Sequence, residues 1–415
     1  MRNAPLLSSH DATARICQQL AARSVNDVVQ FWQDVAQVDV PLIAANGPTE
    51  EVREVTFLWR SAASLQGVYV FLNRITDKQQ VARGMMSQIP GSDIWTLTLH
   101  LPATYRGTYT LTEIPLGTEA DVIAQLGGRH TPFVGQFDPL NKRAHINVRG
   151  QAQESILALD RAPEQAEWHD APNAHRGMLV TSWQQVAGKQ RRVRLYLPDV
   201  ASSTPLGLLV LTDSEKWIDH VGVLGALDSA YDSGRIGATA VLGIDNLDDS
   251  DRATLLGGDP ALVREIAQRL IPQVWGDHPD RRWAGRSKTI LAGQSLGGVT
   301  ALLAALYAPE VFGCVLSHSP SLWWTPDKGR RPLMFSEKDA SWVSEHVLAR
   351  VPQTVRVQLC VGSLEGVMVP HVEQLYQRLQ AAGVESDLTI YTGGHDFAWW
   401  RGALLDGLAA LEKSL

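Results

Sequence analysis

Cysteine is scarce: the 415 residues hold three, Cys17, Cys314 and Cys360. They are odd in number and far apart, so the chain has no disulfide framework and no zinc or redox spacing. All three read as small apolar residues. The chain also lacks an 18-residue apolar run, so no transmembrane helix is expected. Met1-Arg2-Asn3-Ala4-Pro5 lacks the apolar stretch of an export signal, and a cytoplasmic location is expected. Positive charge is not in excess either, with 37 Lys and Arg against 44 Asp and Glu, a net charge of −7. Such a balance disfavours sequence-independent nucleic-acid binding, although a local basic pocket is compatible with it. Neither a nucleic acid nor a membrane is an expected partner. Internal repeats and low-complexity segments are missing too.

What is present is apolar material, 45% of the residues, with 20% charged. Over this length it can bury a sizeable core, and two or three domains are expected. Ile16, Leu20 and Phe31-Trp32 recur near helical spacing within residues 1–40, and Asn26 is a candidate helix cap. From 50 to 112 the texture turns to short strand-like runs: Val55, Phe57 and Trp59 alternating; Gly67 to Leu72 as a buried run; Trp95, Leu97, Leu99 and Leu101 alternating; and Tyr105 to Leu111 closing the set. Such runs with turn residues between them predict a small antiparallel sandwich. Residues 113–175 are weakly patterned and read as a long connection.

From 176 onward, apolar strands without alternation (Leu208–Leu211, Thr239–Ile244, Thr289–Gly293, Val311–Ser317, Val355–Gly362) alternate with helical stretches. That order predicts an α/β fold with a mainly parallel sheet covered on both faces. The expected division is an N-terminal β-sandwich with a helical lead-in over 1–150, a linker over 151–175 and an α/β catalytic domain over 176–415.

The strongest chemical signal is Gly293-Gln294-Ser295-Leu296-Gly297-Gly298, after a buried strand and before an Ala/Leu-rich stretch. This is the setting of a nucleophile elbow, in which a tight turn lifts a serine hydroxyl clear of the sheet. A serine needs a base within reach. His395 follows the strand Leu388–Tyr391 and the pair Gly393-Gly394, 100 residues after Ser295, where a hydrolase of this topology places its histidine. His318 reads as a packing or pocket residue, and Asp396 as a loop or helix cap. The acid that would hold the imidazole is Glu365, in the loop after Val355–Val361; a Ser–His dyad is the alternative. Two backbone donors are needed for the oxyanion. One is the N–H of Leu296, and Ser214 or Glu215, in the loop after Leu208–Leu211, would supply the other.

These segments carry a resemblance. The elbow, Phe312-Gly313-Cys314-Val315-Leu316-Ser317 with Trp323-Trp324, and Gly393-Gly394-His395-Asp396 with Trp400-Arg401-Gly402 together resemble the cytoplasmic ferric-enterobactin esterases. That family lies in the esterase D branch of the α/β-hydrolases. Val55-Thr56-Phe57-Leu58-Trp59-Arg60, Gly91-Ser92-Asp93-Ile94-Trp95 and Tyr105-Arg106-Gly107-Thr108-Tyr109 are similar to its sandwich domain, and the salmochelin-type members are the nearest. The chain departs from the pattern at Ser214, where glycine is frequent, and at Gly366, where proline or a bulkier residue is more usual. The resemblance implies hydrolysis of a trilactone of 2,3-dihydroxybenzoyl-serine, with Ser295 as nucleophile, His395 as base and Glu365 as acid. No cofactor and no catalytic metal are expected, since iron would arrive only as part of the substrate.

A ferric tris-catecholate is a trianion with aromatic faces, which asks for cations and aromatic surfaces. Arg252, Arg401, Trp217, Trp323, Trp324, Trp399 and Trp400 are the candidate contacts. The bland reading makes the tryptophans core and pairs the arginines with carboxylates. Two other functions are alternatives: an esterase acting on feruloyl or acetyl groups of carbohydrate, against which the lack of an export signal counts, and a binding protein on an inactive hydrolase fold, against which the intact Ser295, His395 and oxyanion loop count.

Overall fold

Alternation in the first third of the chain becomes two antiparallel four-stranded sheets. In the computed structural model the strands are β1 (Leu42–Ala44), β2 (Val52–Arg60), β3 (Leu65–Leu72), β4 (Ser87–Gln88), β5 (Ile94–Pro102), β6 (Arg106–Pro115), β7 (His145–Val148) and β8 (Gln151–Ala158). One sheet has the order β1-β2-β5-β4 and the other β3-β6-β8-β7. Their inner faces meet: Phe57 of β2 packs edge-on against Tyr109 of β6, with ring centroids 5.1 Å apart. The structure describes residues 11–412 apart from 46, 129–130, 144, 149–150, 169–173 and 351–353. Met1–Pro5, on which the export expectation rests, lies outside the described residues.

The lead-in is two helices rather than one, Asp11–Ala22 and Val28–Val35. Asp27, not Asn26, caps the second, its carboxylate accepting from Gln30 N–H. Ile16, Phe31, Trp32 and Val35 bury against Leu42, Leu58 and Ile94. Cys17 is exposed, unlike Cys314 and Cys360, because it sits one residue past Ile16 on the outer side of its helix.

Two compact units divide the chain: Met1–Ala166 with Thr392–Trp399, and Glu167–Tyr391 with Trp400–Leu415. The linker expected over 151–175 is therefore partly sheet. Gln151–Ala158 is β8, pairing with β6 from Arg106↔Ala158 to Tyr109↔Ser155. Its large apolar residues, Ile156 and Leu157, sit together near one end, too few to show a period. Residues 169–173 of that stretch lie outside the described residues.

The second unit is built on β9 (Met178–Val186), β10 (Lys189–Leu197), β11 (Gly207–Thr212), β12 (Thr239–Ile244), β13 (Thr289–Gln294), β14 (Cys314–His318), β15 (Arg356–Gly362) and β16 (Ser386–Tyr391). Their order is β16-β15-β14-β13-β11-β12-β10-β9. The strands from β11 to β16 pair parallel, while β10 runs antiparallel to β12 and β9 to β10. Every residue of β13 and β14 is buried, as strands covered on both faces must be. The helix Leu296–Tyr307, apolar all round, packs on them and buries ten of its twelve residues.

The order in which parallel strands are added changes side at β11, with β12 laid down on one flank and β13 on the other. The crevice outside the carboxyl ends of such strands is where an α/β sheet positions its ligand site. Ser295 follows β13, Ser319 follows β14, Glu365 follows β15 and Asp213 follows β11.

Leu302, fully buried in the helix behind the elbow, tests this packing. Leu302→Ala should cost the second unit about 2–5 kcal/mol, read as a lowered denaturant midpoint with unchanged slope; an unshifted midpoint would contradict the packing described.

Candidate active site

Ser295 sits at φ 59°, ψ −117°, a conformation an L-residue occupies only when its surroundings hold it there. The flanking glycines make the turn possible. A Cβ on Gly293 would lie 2.4 Å from the Gly297 carbonyl oxygen, and one on Gly297 would lie 2.4 Å from Thr212 Oγ1. Ser295 is tied at both ends by the chain leaving β14. Its N–H donates to the His318 carbonyl at 3.0 Å, and its carbonyl accepts from Ser321 N–H at 3.1 Å. The Ser321 and Ser295 hydroxyl oxygens are 3.2 Å apart.

The segment 317–321 grips more than the elbow. Ser317 Oγ donates to the Gly298 carbonyl at 2.8 Å. His318 is buried, and burial pushes its imidazole down to about 3, so it stays neutral near pH 7. Its expected role as a packing residue fits this environment. Ser319, at φ 44°, donates its hydroxyl to Glu365 Oε1 and accepts from Trp400 Nε1 at 2.8 Å. Gly362 N–H also donates to Glu365 Oε1, at 2.9 Å. Glu365 is buried, and these donors fix its carboxylate at the end of β15. Gly366 is at φ +59°, which explains glycine in a place where a bulkier residue would be strained.

In the loop after β11, Asp213 is at φ 54°, and its carbonyl accepts from the N–H groups of Lys216 and Trp217 at 2.9 and 3.2 Å. Ser214 and Glu215 are thus the first residues of a helical turn, whose N–H groups no intrahelical carbonyl can reach. Leu296 holds the same position in the helix after Ser295. The Ser214 side chain is buried and bonds Asp245. Glu215 accepts from Asn246 N and Nδ2 at 3.1 and 3.0 Å, and burial, then the charge of Asp213, raises its carboxyl above the usual range.

The Asp213 carboxylate collects four donors: Arg252 Nε at 2.6 Å and Nη2 at 2.9 Å, Asn246 Nδ2 at 2.6 Å and Gln294 Nε2 at 2.6 Å. Arg252 is paired, yet its side chain keeps 24% of its exposure while that of Asp213 keeps 1%.

Most of the aromatic contacts expected from sequence belong to the core. Trp217 is buried with its indole N–H on Gln294 Oε1 at 3.0 Å. Trp324 packs over Gly257 and Gly258, and Trp400 is spent on Ser319. Trp399 is buried, its N–H on the Gly394 carbonyl at 2.6 Å. Arg401 is buried with its guanidinium over the Trp168 ring. Large aromatics near a motif read as binding surface, but here they brace the loops; only Trp323 remains partly exposed.

His395 lies in Thr392–Trp399, within the N-terminal unit. Its N–H donates to Asn73 Oδ1 at 2.7 Å. The preceding glycines serve close approach: a Cβ on Gly393 would lie 2.7 Å from the Arg106 carbonyl oxygen, and one on Gly394 would lie 2.6 Å from that of Asn73. Asp396 caps the last helix, accepting from Ala398 N–H at 2.7 Å, and also accepts from Thr108 N–H at 2.6 Å. Among the described residues no group of three or more His, Cys, Asp or Glu is placed to hold a metal ion.

Residues 184–411 match the family model described as "Putative esterase", and residues 54–168 match "Enterochelin esterase, N-terminal". The iron(III) salmochelin esterase of Escherichia coli O6:H1 (strain CFT073) is 56% identical over 97% of this chain and 98% of its own length. The chain belongs to the enterochelin esterase family. The iron(III) enterobactin esterase of Escherichia coli K12 is 31% identical over 88% of this chain and 93% of its own. The enterobactin esterase of Shigella flexneri, solved in the presence of enterobactin, superposes with a TM-score of 0.77 at 27% identity, over 92% of this chain and 98% of its own. As a member of the enterochelin esterase family the chain is a carboxylic ester hydrolase on an α/β-hydrolase fold. No helix among the described residues is long and apolar enough to cross a membrane.

Sequence reading of this enterochelin esterase site missed Ser317, Ser319 and Ser321, whose roles arise from contacts far along the chain. Ser319→Ala removes a hydroxyl from a buried carboxylate, an interaction of about 1.5–3 kcal/mol. The expected result is a fall of about tenfold in kcat on p-nitrophenyl butyrate with KM unchanged, restored by Ser319→Thr. An unaltered kcat would show that Glu365 needs no such support.

Proposed function

We propose that this protein is a serine esterase that opens and trims the trilactone of ferric enterobactin and of its C-glucosylated form, salmochelin. The products are linear trimer, dimer and 2,3-dihydroxybenzoyl-serine, and the hydrolysis releases iron in the cytoplasm. The observation that carries this reading is the 56% identity, over 97% of the chain, to a protein named iron(III) salmochelin esterase. It favours the siderophore over a feruloyl or acetyl ester. The strained and doubly tied Ser295 argues against an inactive binding protein, because such strain persists where function uses it.

In this mechanism Ser295 Oγ attacks the lactone carbonyl while His395, four residues after β16, takes its proton. Glu365 holds the imidazole and stabilises the imidazolium. The N–H of Leu296 and an N–H of the Ser214–Glu215 turn receive the oxyanion. Iron enters as part of the substrate, and no cofactor takes part. Arg252 turns its remaining face to the ferric trianion while Asp213 holds the other, and the partly exposed Trp323 offers an aromatic surface to a catecholate.

Liquid chromatography with mass detection, on protein incubated with ferric enterobactin and its diglucosylated form, tests the reading. Linear trimer and smaller products should appear, and Ser295→Ala should lower their rate by about 10⁴-fold or more. Cleavage of neither siderophore would overturn the substrate assignment. Arg252→Ala should raise KM for the ferric trianion by about 10- to 100-fold, the worth of a charge-assisted hydrogen bond, and leave KM for a neutral ester nearly unchanged. Equal effects on both would refute the charge role.

A further inference from the structure

The nucleophile has a neighbour that the Ser295–His395–Glu365 arrangement leaves unused. Ser321 is buried, and its place is set by its backbone: its N–H is bound to the Ser295 carbonyl and its carbonyl accepts from Trp324 N–H at 2.9 Å. Two other serines of the same segment direct their hydroxyls elsewhere, Ser317 to the Gly298 carbonyl and Ser319 to Glu365. Ser321 alone of the three brings its hydroxyl to the reacting atom, 3.2 Å from Ser295 Oγ. That separation is long for an O–H···O bond, as catalytic hydrogen bonds often are before substrate is bound.

We propose that Ser321 is a further catalytic residue, whose hydroxyl donates a hydrogen bond to Ser295 Oγ during both halves of the reaction. The proposal rests on Ser295 being the nucleophile and His395 its base. Two facing hydroxyls can bond in either sense. If Ser295 donates to Ser321, its proton is engaged by Ser321 and withheld from a base. If Ser321 donates to Ser295, the Ser295 proton is left for His395.

The chemistry gives that donor a task. In acylation an electron pair of Oγ forms the bond to the lactone carbon and the Oγ proton passes to His395. The bond from that carbon to the departing alkoxide oxygen then breaks, and this oxygen takes the proton from His395. In deacylation a water oxygen bonds to the acyl carbon and gives a proton to His395. The carbon–Oγ bond breaks, and Oγ takes the proton back. Negative charge therefore passes through Oγ twice, once as nucleophile and once as leaving group. Between those moments Oγ is an ester oxygen, a poor acceptor. A fixed O–H aimed at Oγ stabilises the transition states more than the acyl-enzyme they flank, which is the condition for acceleration.

Ser321→Ala keeps the backbone bond to Ser295, so the elbow is left in place. The test uses the full-length protein and p-nitrophenyl butyrate, with stopped-flow kinetics and intact-mass detection of the acyl-enzyme. Ser321→Ala should lower kcat by about 3- to 10-fold, the range of one neutral hydrogen bond. KM should not rise, and the acyl-enzyme should live longer by a similar factor. Ser321→Thr, which keeps the hydroxyl, should restore most of the rate. Should Ser321→Ala melt well below the parent protein, Ser321→Thr decides: recovered kcat supports the donor, and kcat as low as in the alanine variant overturns it. Unchanged kcat and acyl-enzyme lifetime in Ser321→Ala would also overturn it, as would a faster enzyme, since the hydroxyl would then hold the nucleophile idle. Turnover surviving in Ser295→Ala would instead strike the nucleophile assignment. An inactive Ser295→Ala beside an unaffected Ser321→Ala would strike only the proposal made for Ser321.

Discussion

The site depends on holding one serine in a conformation it would not choose. At φ 59°, ψ −117° the Ser295 backbone carries a cost of about 1–3 kcal/mol, and bonds to its N–H and its carbonyl retain it there. The partners are His318, the last residue of β14, and Ser321, three residues on. The same segment reaches across to β15, where Ser319 donates to Glu365. One short segment thus braces Ser295, the proposed nucleophile, and bonds Glu365, the proposed acid, and the glycines of the elbow are required because backbone and side chains crowd it.

A second constraint couples the loop proposed to receive the oxyanion to Arg252, the proposed anion contact. Asp213 is buried, sits in a left-handed conformation and accepts from Arg252, Asn246 and Gln294. Its carboxylate holds the arginine on one side while its carbonyl starts the turn that presents the Ser214 and Glu215 N–H groups. A chain with a net charge of −7 in this way keeps the Arg252 guanidinium partly exposed while the compensating charge of Asp213 is buried.

Much of this was legible in the sequence because it is locally encoded. The elbow announces itself by glycine spacing between an apolar strand and an apolar helix. Glu365 lies just past a strand end, and the strand-like runs before residue 112 match β2, β3, β5 and β6. What stayed hidden is tertiary. Serines carry no periodicity, and Ser319 and Ser321 meet partners 46 and 26 residues away. Trp217, Trp324, Trp399 and Trp400 stand beside motif residues, yet burial makes them braces. β8 was hidden by its polar residues. The return of Thr392–Trp399 to the N-terminal unit joins segments that no local pattern connects.

The central claim is that Ser295 is an activated nucleophile. Its most direct test is labelling of the purified protein with a fluorophosphonate, followed by peptide mass spectrometry to locate the adduct. The account predicts a single adduct on Ser295, formed at a rate that falls steeply in His395→Ala. An adduct on another residue, or none on Ser295 in protein that turns over ester, would contradict it.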